Sequence, residues 1–302
     1  ELSILGVKAS DSWRKNKVLP KDPERRRFFH QSANIGVLGL SALAGAFGVW
    51  RARRHPSIVK VDVPIENLPE QLEGYTIAQI SDLHLGPTLS GAFMRRVVKS
   101  INELKPDMVA ITGDLVDGST THLAGYVEPL KNLNSADGTF FVTGNHEYYS
   151  GAEPWCRTLS DLGLNVLNNA HSVIHRGAAK LLVAGVNDCR AHKILPSHRS
   201  DPVAAVAGAP DCDARVLLAH QPGSCLDARE QQFDLQLSGH THGGQFFPWN
   251  FVVGRFHPFH RGLNAWQKGW VYVNCGTGYW GPPMRIGVES EITLLVLNRR
   301  QS

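Results

Sequence analysis

From Ser57 onward, short apolar runs alternate with stretches whose apolar residues recur at helical spacing. Ile58-Val59-Lys60-Val61-Asp62-Val63 alternates apolar and polar positions, the pattern of an edge strand. Residues 75–81, 108–112, 139–143, 181–186, 215–219 and 233–237 read as short strands, and 270–274 and 291–298 complete the set. Between them, residues 92–104 place Phe93, Val97, Val98, Ile101 and Leu104 on one helical face. Helices are also expected over 123–133 and 155–162. Residues 196–210, rich in Ala and Pro, read as a loop with at most a short helix. Strands alternating with helices imply an α/β domain over residues 55–302.

The first fifty residues follow another pattern. Residues 1–27 are a polar, basic tail ending in Arg25-Arg26-Arg27, and residues 33–50 are uncharged. Basic residues return at Arg51, Arg53 and Arg54. This length is at the lower limit for a membrane span and above the usual signal-peptide core. Gly36, Gly39, Gly45 and Gly48 make the stretch only weakly hydrophobic. Arg26-Arg27-Phe28-Phe29 ahead of it resembles a twin-arginine export signal, with Ala44-Gly45-Ala46 as a cleavage site; an uncleaved anchor is the alternative. Residues 28–54 are therefore expected to be a signal or a membrane anchor. More basic charge precedes the stretch than follows it, which puts the following domain outside the cytoplasm, exported or at the cell envelope.

Composition narrows the classes. With 302 residues, 42% of them hydrophobic, the chain can bury one sizeable core. The net charge of +4 gathers near the N-terminus, so it speaks of membrane topology and not of nucleic acid. Five scattered cysteines without a CxxC pair argue against a disulfide framework and against a cysteine-held zinc ion.

The chemistry gathers where strands end. The 233–237 strand runs into Leu237-Ser238-Gly239-His240-Thr241-His242-Gly243-Gly244-Gln245, a glycine-rich turn that lets two imidazoles aim at one spot. Four other strands end in the same manner, with Asp82-Leu83-His84, Gly113-Asp114, Gly144-Asn145-His146-Glu147 and His220-Gln221-Pro222. In α/β folds, sites collect where such loops converge. Any one of these residues could be a cap or a turn residue, but a coincidence at all of them is improbable. Asp82, His84, Asp114, Asn145, His220, His240 and His242 are thus candidate metal ligands. Seven donors exceed what one tetrahedral ion needs and suit two ions sharing a carboxylate. A cysteine-free set favours manganese, iron or zinc. Two such ions activate water and clamp the attacking and leaving oxygens of an in-line displacement at phosphorus. His146 could protonate the leaving oxygen or hydrogen-bond the phosphate.

These motifs, in order and spacing, resemble the calcineurin-like metallophosphoesterase superfamily. Those that carry the resemblance are Asp82-Leu83-His84, Gly113-Asp114-Leu115-Val116-Asp117-Gly118, Gly144-Asn145-His146-Glu147, His220 and Gly239-His240-Thr241-His242. Residues 143–151, 237–245 and 276–285 look like its membrane-associated or exported bacterial branch, of the YkuE and YaeI type, and the likeness covers about residues 58–298. The resemblance implies a four-layer αββα sandwich of two mixed β-sheets flanked by helices, with the site at one edge. It implies that Asp82, His84 and His242 hold one ion, Asp114 bridges, and Asn145, His220 and His240 hold the second. His146 would be the catalytic histidine and Asp117 the residue that orients it. Two positions depart from the pattern: many relatives have Asp where Glu147 stands, and Arg or Asn where Gly118 stands. The second departure removes a cation, and Arg285 is the candidate to replace it at the phosphate, with an ordinary exposed surface arginine as the expected alternative.

Around that site, Tyr148, Tyr149 and the loop 276–283 offer either a substrate platform or packing. Phe246, Phe247, Trp249 and Phe251 could rest on a lipid surface, although core packing is the expected place for most of them. His122, His171, His175, His192, His198, His257 and His260 have no motif support and are read as surface or packing residues. The expected function is hydrolysis of phosphate esters, phosphodiesters ahead of monoesters, by attack of metal-bound hydroxide without a covalent enzyme intermediate. A lipid or envelope-derived substrate follows from the N-terminal segment. The alternatives are a non-catalytic metal-binding scaffold, which the complete ligand set argues against, and a nuclease, for which the body lacks a strong basic stripe.

Overall fold

The computed structural model describes residues 22–300. Strands β1 (Ser57–Ile65), β2 (Thr76–Ile80), β3 (Met108–Ile111), β4 (Thr139–Phe141) and β5 (Asn165–Val166) join β12 (Glu291–Arg299) in a sheet ordered β1-β12-β2-β3-β4-β5. Strands β6 (Ala170–Arg176), β7 (Ala179–Gly185), β8 (Ala214–Leu218), β9 (Leu235–Ser238), β10 (Gly262–Trp266) and β11 (Gly269–Val273) form the second, ordered β10-β11-β9-β8-β7-β6. Both sheets are mixed. In the first, β2 to β5 run parallel and β12 lies antiparallel to β2. In the second, β7, β8, β9 and β11 run parallel, and the edge strands β6 and β10 pair antiparallel as hairpins.

Alternation along the strands builds the layers. Ile77, Met108, Ala110 and Phe140 of the first sheet face Leu181, Val183, Val216 and Leu235 of the second in one buried cluster. The opposite faces, with Ala78, Ile80, Val109 and Ile111, pack on the helices Gly91–Leu104, Thr120–Val127 and Ala152–Asp161 through Val97, Leu123 and Trp155. The outer face of the second sheet is covered more thinly, by the short helix Pro202–Val206 and flanking turns around Ala184, Leu217 and Ala219. Each fully buried Leu, Ile or Val contributes roughly 1.5–3 kcal/mol relative to exposure, so these layers hold the strand ends rigidly. A few buried polar residues interrupt the apolar runs, among them Gln79, Gln236 and Thr293. Gln79 Nε2 in β2 donates to Thr112 Oγ1 (2.9 Å) and to the Ser238 carbonyl (2.9 Å), tying the loop ends of the two sheets together.

Some elements differ from the sequence pattern. The helix expected over 123–133 ends at Val127 and continues as a 3-10 turn, Glu128–Asn132, because Pro129 has no N–H to give an α-helix. The hairpin strands β6 and β10 were absent from the apolar pattern because both are only partly covered. Ahead of the sheets, one helix, Pro23–Arg53, is long and apolar enough to cross a membrane by length and composition. It takes in Arg25 to Arg27 of the basic tail and the whole uncharged stretch; the tail's residues 1–21 lie outside the described residues. The described residues divide into two units, with the boundary between Trp50 and Arg51.

Candidate metal centre

Each candidate ligand leaves the carboxyl end of a parallel strand. Asp82 and His84 follow β2, Asp114 follows β3, Asn145 and His146 follow β4, His220 follows β8, and His240 and His242 follow β9. The loops of both sheets therefore meet at one edge of the sandwich. Three groups form there: Asp82 with His84 and His242, Asp114 with His220 and His240, and, overlapping both, His84 with Asp114 and His146, the potential ligating atoms in each lying within 4.8 Å of one another. The Asp114 carboxylate stands between the first two, with Oδ2 3.2 Å from His220 Nε2 and 3.8 Å from His84 Nε2.

The backbone is bent to achieve this. Asp82, His84, Asp114, His240 and His242 all adopt left-handed φ angles, from 48° to 70°. Such angles cost a non-glycine residue on the order of 1 kcal/mol each and persist only where the surroundings enforce them. Glu147 supplies part of that enforcement: its buried carboxylate accepts from the N–H groups of Asp114 (2.9 Å), Leu115 (2.7 Å) and Gly144 (2.6 Å). Gly144 must be glycine, since a Cβ there would collide with the Asp114 carboxylate; Gly239 stands in the same relation to Asp82.

Hydrogen bonds on the far side of the rings fix which nitrogens face inward. His220 Nδ1 donates to the Thr112 carbonyl (2.8 Å), and His84 Nδ1 lies 2.9 Å from Asp117 Oδ1. Nε2 of both rings then faces into the site. There His84 Nε2 meets His242 Nε2 at 3.1 Å, and His220 Nε2 meets His240 Nδ1 at 3.2 Å. Asn145 Oδ1 is buried with no hydrogen-bond partner. Lone pairs, carboxylates and an orphaned amide oxygen converging in this way fit cations.

Electrostatics agree. Burial raises the pKa of Asp82 and Asp114, but the neighbouring histidines outweigh it, holding Asp82 well below the usual carboxylate range and Asp114 at about 2. Burial, with the charge of His220, pushes His240 down to about 3, so its ring stays neutral and able to ligate. His146 sits at the rim. Its Nδ1 contacts Asp117 Oδ1 (2.6 Å) and its backbone N–H donates to Asp114 Oδ1 (2.8 Å). Burial lowers its pKa, but the Asp117 hydrogen bond and the Asp114 charge outweigh that and raise it. The ligands open on a cleft of about 230 Å³, whose far wall carries Phe246, Trp249, Val253, His257 and Trp280.

Residues 75–244 match the family model described as calcineurin-like phosphoesterase. The chain belongs to this family. It is 38% identical to a transmembrane protein with metallophosphoesterase domain from Danio rerio, over 87% of this chain and 62% of that one. It therefore spans less than two thirds of that relative. An uncharacterized metallophosphoesterase of Helicobacter pylori is 35% identical over 91% of this chain and 73% of its own length. The metallophosphoesterase YkuE of Bacillus subtilis is 27% identical over 92% and 98%. The YkuE-like strings in the sequence thus have a counterpart among these relatives, and the transmembrane relative, with the helix Pro23–Arg53, supports membrane association.

Several side chains of this calcineurin-like phosphoesterase stand elsewhere than the sequence suggested. Arg285 is neither on the surface nor at the cleft. It is 1% exposed, and its guanidinium donates to the carbonyls of Gly278, Cys275, Gly276 and Glu289, holding the 276–289 loop in shape. Tyr148 is buried between Thr143 and His198, whereas Tyr149 is exposed with its ring against His146. Phe247, Trp249 and Phe251 are exposed, not packed in the core. His257, without motif support, lies against His240 with ring centroids 5.4 Å apart and lines the cleft. Gln245, which closes the glycine-rich turn and was given no role, clamps the neighbouring loop: its amide accepts from the Trp280 N–H (2.9 Å) and donates to the Trp280 carbonyl (2.8 Å). Position after a strand was the signal for the candidate ligands; His257 follows none.

Proposed function

We propose that the chain is a dinuclear-metal phosphoester hydrolase, acting on phosphodiesters ahead of monoesters. The observation that carries this reading is the place of Asp114, one carboxylate between two clusters of inward-facing nitrogens. Asp82, His84 and His242 would hold one divalent ion, Asn145, His220 and His240 a second, with Asp114 shared. When bound, the ions supply Lewis-acid charge neutralisation at the phosphoryl group and make a water acidic enough to attack at neutral pH. The protein's own part is positional. Asp117 touches Nδ1 of both His84 and His146, so one carboxylate orients a ligand and the catalytic histidine together. With Nδ1 engaged, Nε2 of His146 is the nitrogen left to hold a proton near the departing ester oxygen. His257 and Trp280 bound the space where the rest of the substrate lies.

The apolar helix Pro23–Arg53 and the transmembrane relative support membrane association, to which a substrate drawn from a membrane or cell envelope would be suited. The heavier basic charge ahead of the apolar stretch favours a catalytic unit outside the cytoplasm. The test is hydrolysis of bis-p-nitrophenyl phosphate with added manganese. Turnover is expected, and loss of it in His146→Ala and Asp114→Ala with the fold retained. Turnover unchanged in both variants would refute the site. Metal bound tightly without turnover on any phosphoester would favour a scaffold.

A further inference from the structure

The wall of the cleft opposite the ligands has surface chemistry that hydrolysis does not need. Residues 246–261 cross the cleft mouth in two 3-10 turns, Trp249–Phe251 and Val253–Arg255. Phe246, Trp249 and Val253 look inward at the cleft. Phe247, Phe251 and Phe256 are exposed by 63%, 75% and 67%, and Trp280 on the adjoining loop is exposed too. Isolated exposed aromatics are ordinary, but several on one short rim mark an interaction surface.

This rim is rigid. The rings of Phe247 and Phe251 pack edge to face at 6.0 Å between centroids, and Trp249 stacks on Phe256 at 5.5 Å. Phe247 N–H donates to the Ile286 carbonyl (3.1 Å) and Ile286 N–H to the Gln245 carbonyl (3.2 Å), so the two loops move together. Its charge is one-sided. From Leu235 to Val288 the chain contains no Asp or Glu, while Arg255 and Arg261 are exposed on the same segment.

We propose that this rim docks the cleft mouth onto an anionic lipid bilayer. Large aromatic side chains favour the headgroup region, and each nearby cation adds attraction to anionic lipid. A protein seated here would cover the cleft, whereas a bilayer is both the docking surface and the source of substrate. The helix Pro23–Arg53 in the same chain would keep the rim at high effective concentration near lipid. The inference deepens the membrane-substrate reading and rests on it, but its test reads binding instead of turnover.

The experiment is hydrogen exchange of the full chain in nanodiscs of phosphatidylcholine, with and without about one quarter phosphatidylglycerol. Amide exchange over 246–257 is expected to slow about tenfold in the anionic discs. Phe247→Ser/Phe251→Ser/Phe256→Ser should abolish the slowing while bis-p-nitrophenyl phosphate hydrolysis stays within about twofold, since these side chains point away from the ligands. Arg255→Gln/Arg261→Gln keeps the aromatics and should remove most of the difference between the two lipids. Equal exchange in both discs overturns the proposal. Slowing that follows protein concentration in neutral discs assigns the rim to a second copy of the chain and also overturns it. Slowing without turnover on any phosphoester supports docking and sinks the hydrolase reading alone.

Discussion

At the amino ends of β2, β3 and β4, Tyr75, Asp107 and Asp137 gather around Arg176. The guanidinium donates to Asp107 Oδ1 (2.7 Å) and Asp137 Oδ2 (2.7 Å), and the Tyr75 hydroxyl donates to Asp137 Oδ2 (2.8 Å). The second oxygen of Asp107 accepts from the Thr76 N–H (2.8 Å) and hydroxyl (2.7 Å). At the carboxyl ends of the same strands, Asp82, Asp114 and Asn145 meet the histidines of the other sheet, and there the bookkeeping fails: ring nitrogens face ring nitrogens at 3.1 and 3.2 Å, and Asn145 Oδ1 has no donor. Both clusters are charged and both join the two sheets. The first pairs its charges with protein atoms alone and serves the fold; the second turns facing ring nitrogens, carboxylates and an unpaired amide oxygen inward, a donor set suited to cations.

The sharpest way to break this contrast is to remove the shared carboxylate. Asp114→Asn should lower kcat/KM by about a thousandfold or more, roughly 4 kcal/mol of transition-state stabilisation, while the fold persists. Arg176→Ala at the other end should leave kcat/KM within about twofold. If steady-state kinetics show similar losses for both, the division between the ends is wrong. His146→Ala comes next, with an expected loss of about a hundredfold in kcat and unchanged metal content by elemental analysis. A loss of metal instead would make His146 a ligand.

Chelation separates the ends thermodynamically. If the native unit binds each ion at about a thousandfold above Kd, removal costs about 4 kcal/mol per ion, on the order of 8 kcal/mol for two, and lowers Tm by about 20 °C in calorimetry. No change on chelation would say that the ligand end is as self-sufficient as the other. Arg176→Ala has the smallest effect. Its partners are partly exposed, so a loss of about 1 kcal/mol and a Tm lower by a few degrees are expected, with the same further drop on chelation.

The convergence of the candidate ligands was legible because each follows an apolar run that reads as a buried strand, and loops there converge by topology. The central parallel strands were legible for the same reason: both of their faces are covered, so the runs are continuous. Strand β5, parallel but two residues long and partly exposed, was not. Strand β6 was not, because Ala170–Arg176 is a partly covered edge with His171, Ser172 and His175 interrupting any run. Its signal was the two-residue turn at Gly177, left-handed at φ 61°, between two segments of equal length. Arg285 was misread because charge implies exposure in a one-dimensional pattern; only the folded loop brings four carbonyls to one guanidinium. The left-handed backbone of Asp82, His84 and Asp114 is only weakly signalled by residue type: Asp and His adopt it more often than most non-glycine residues, but still seldom.

Metal stoichiometry with positions tests the central claim most directly. Anomalous scattering from crystals of the manganese-loaded chain should show two peaks, one within bonding distance of Asp82, His84 and His242, the other of Asn145, His220 and His240, with the Asp114 carboxylate touching both. A single peak, or peaks away from Asp114, would contradict the account.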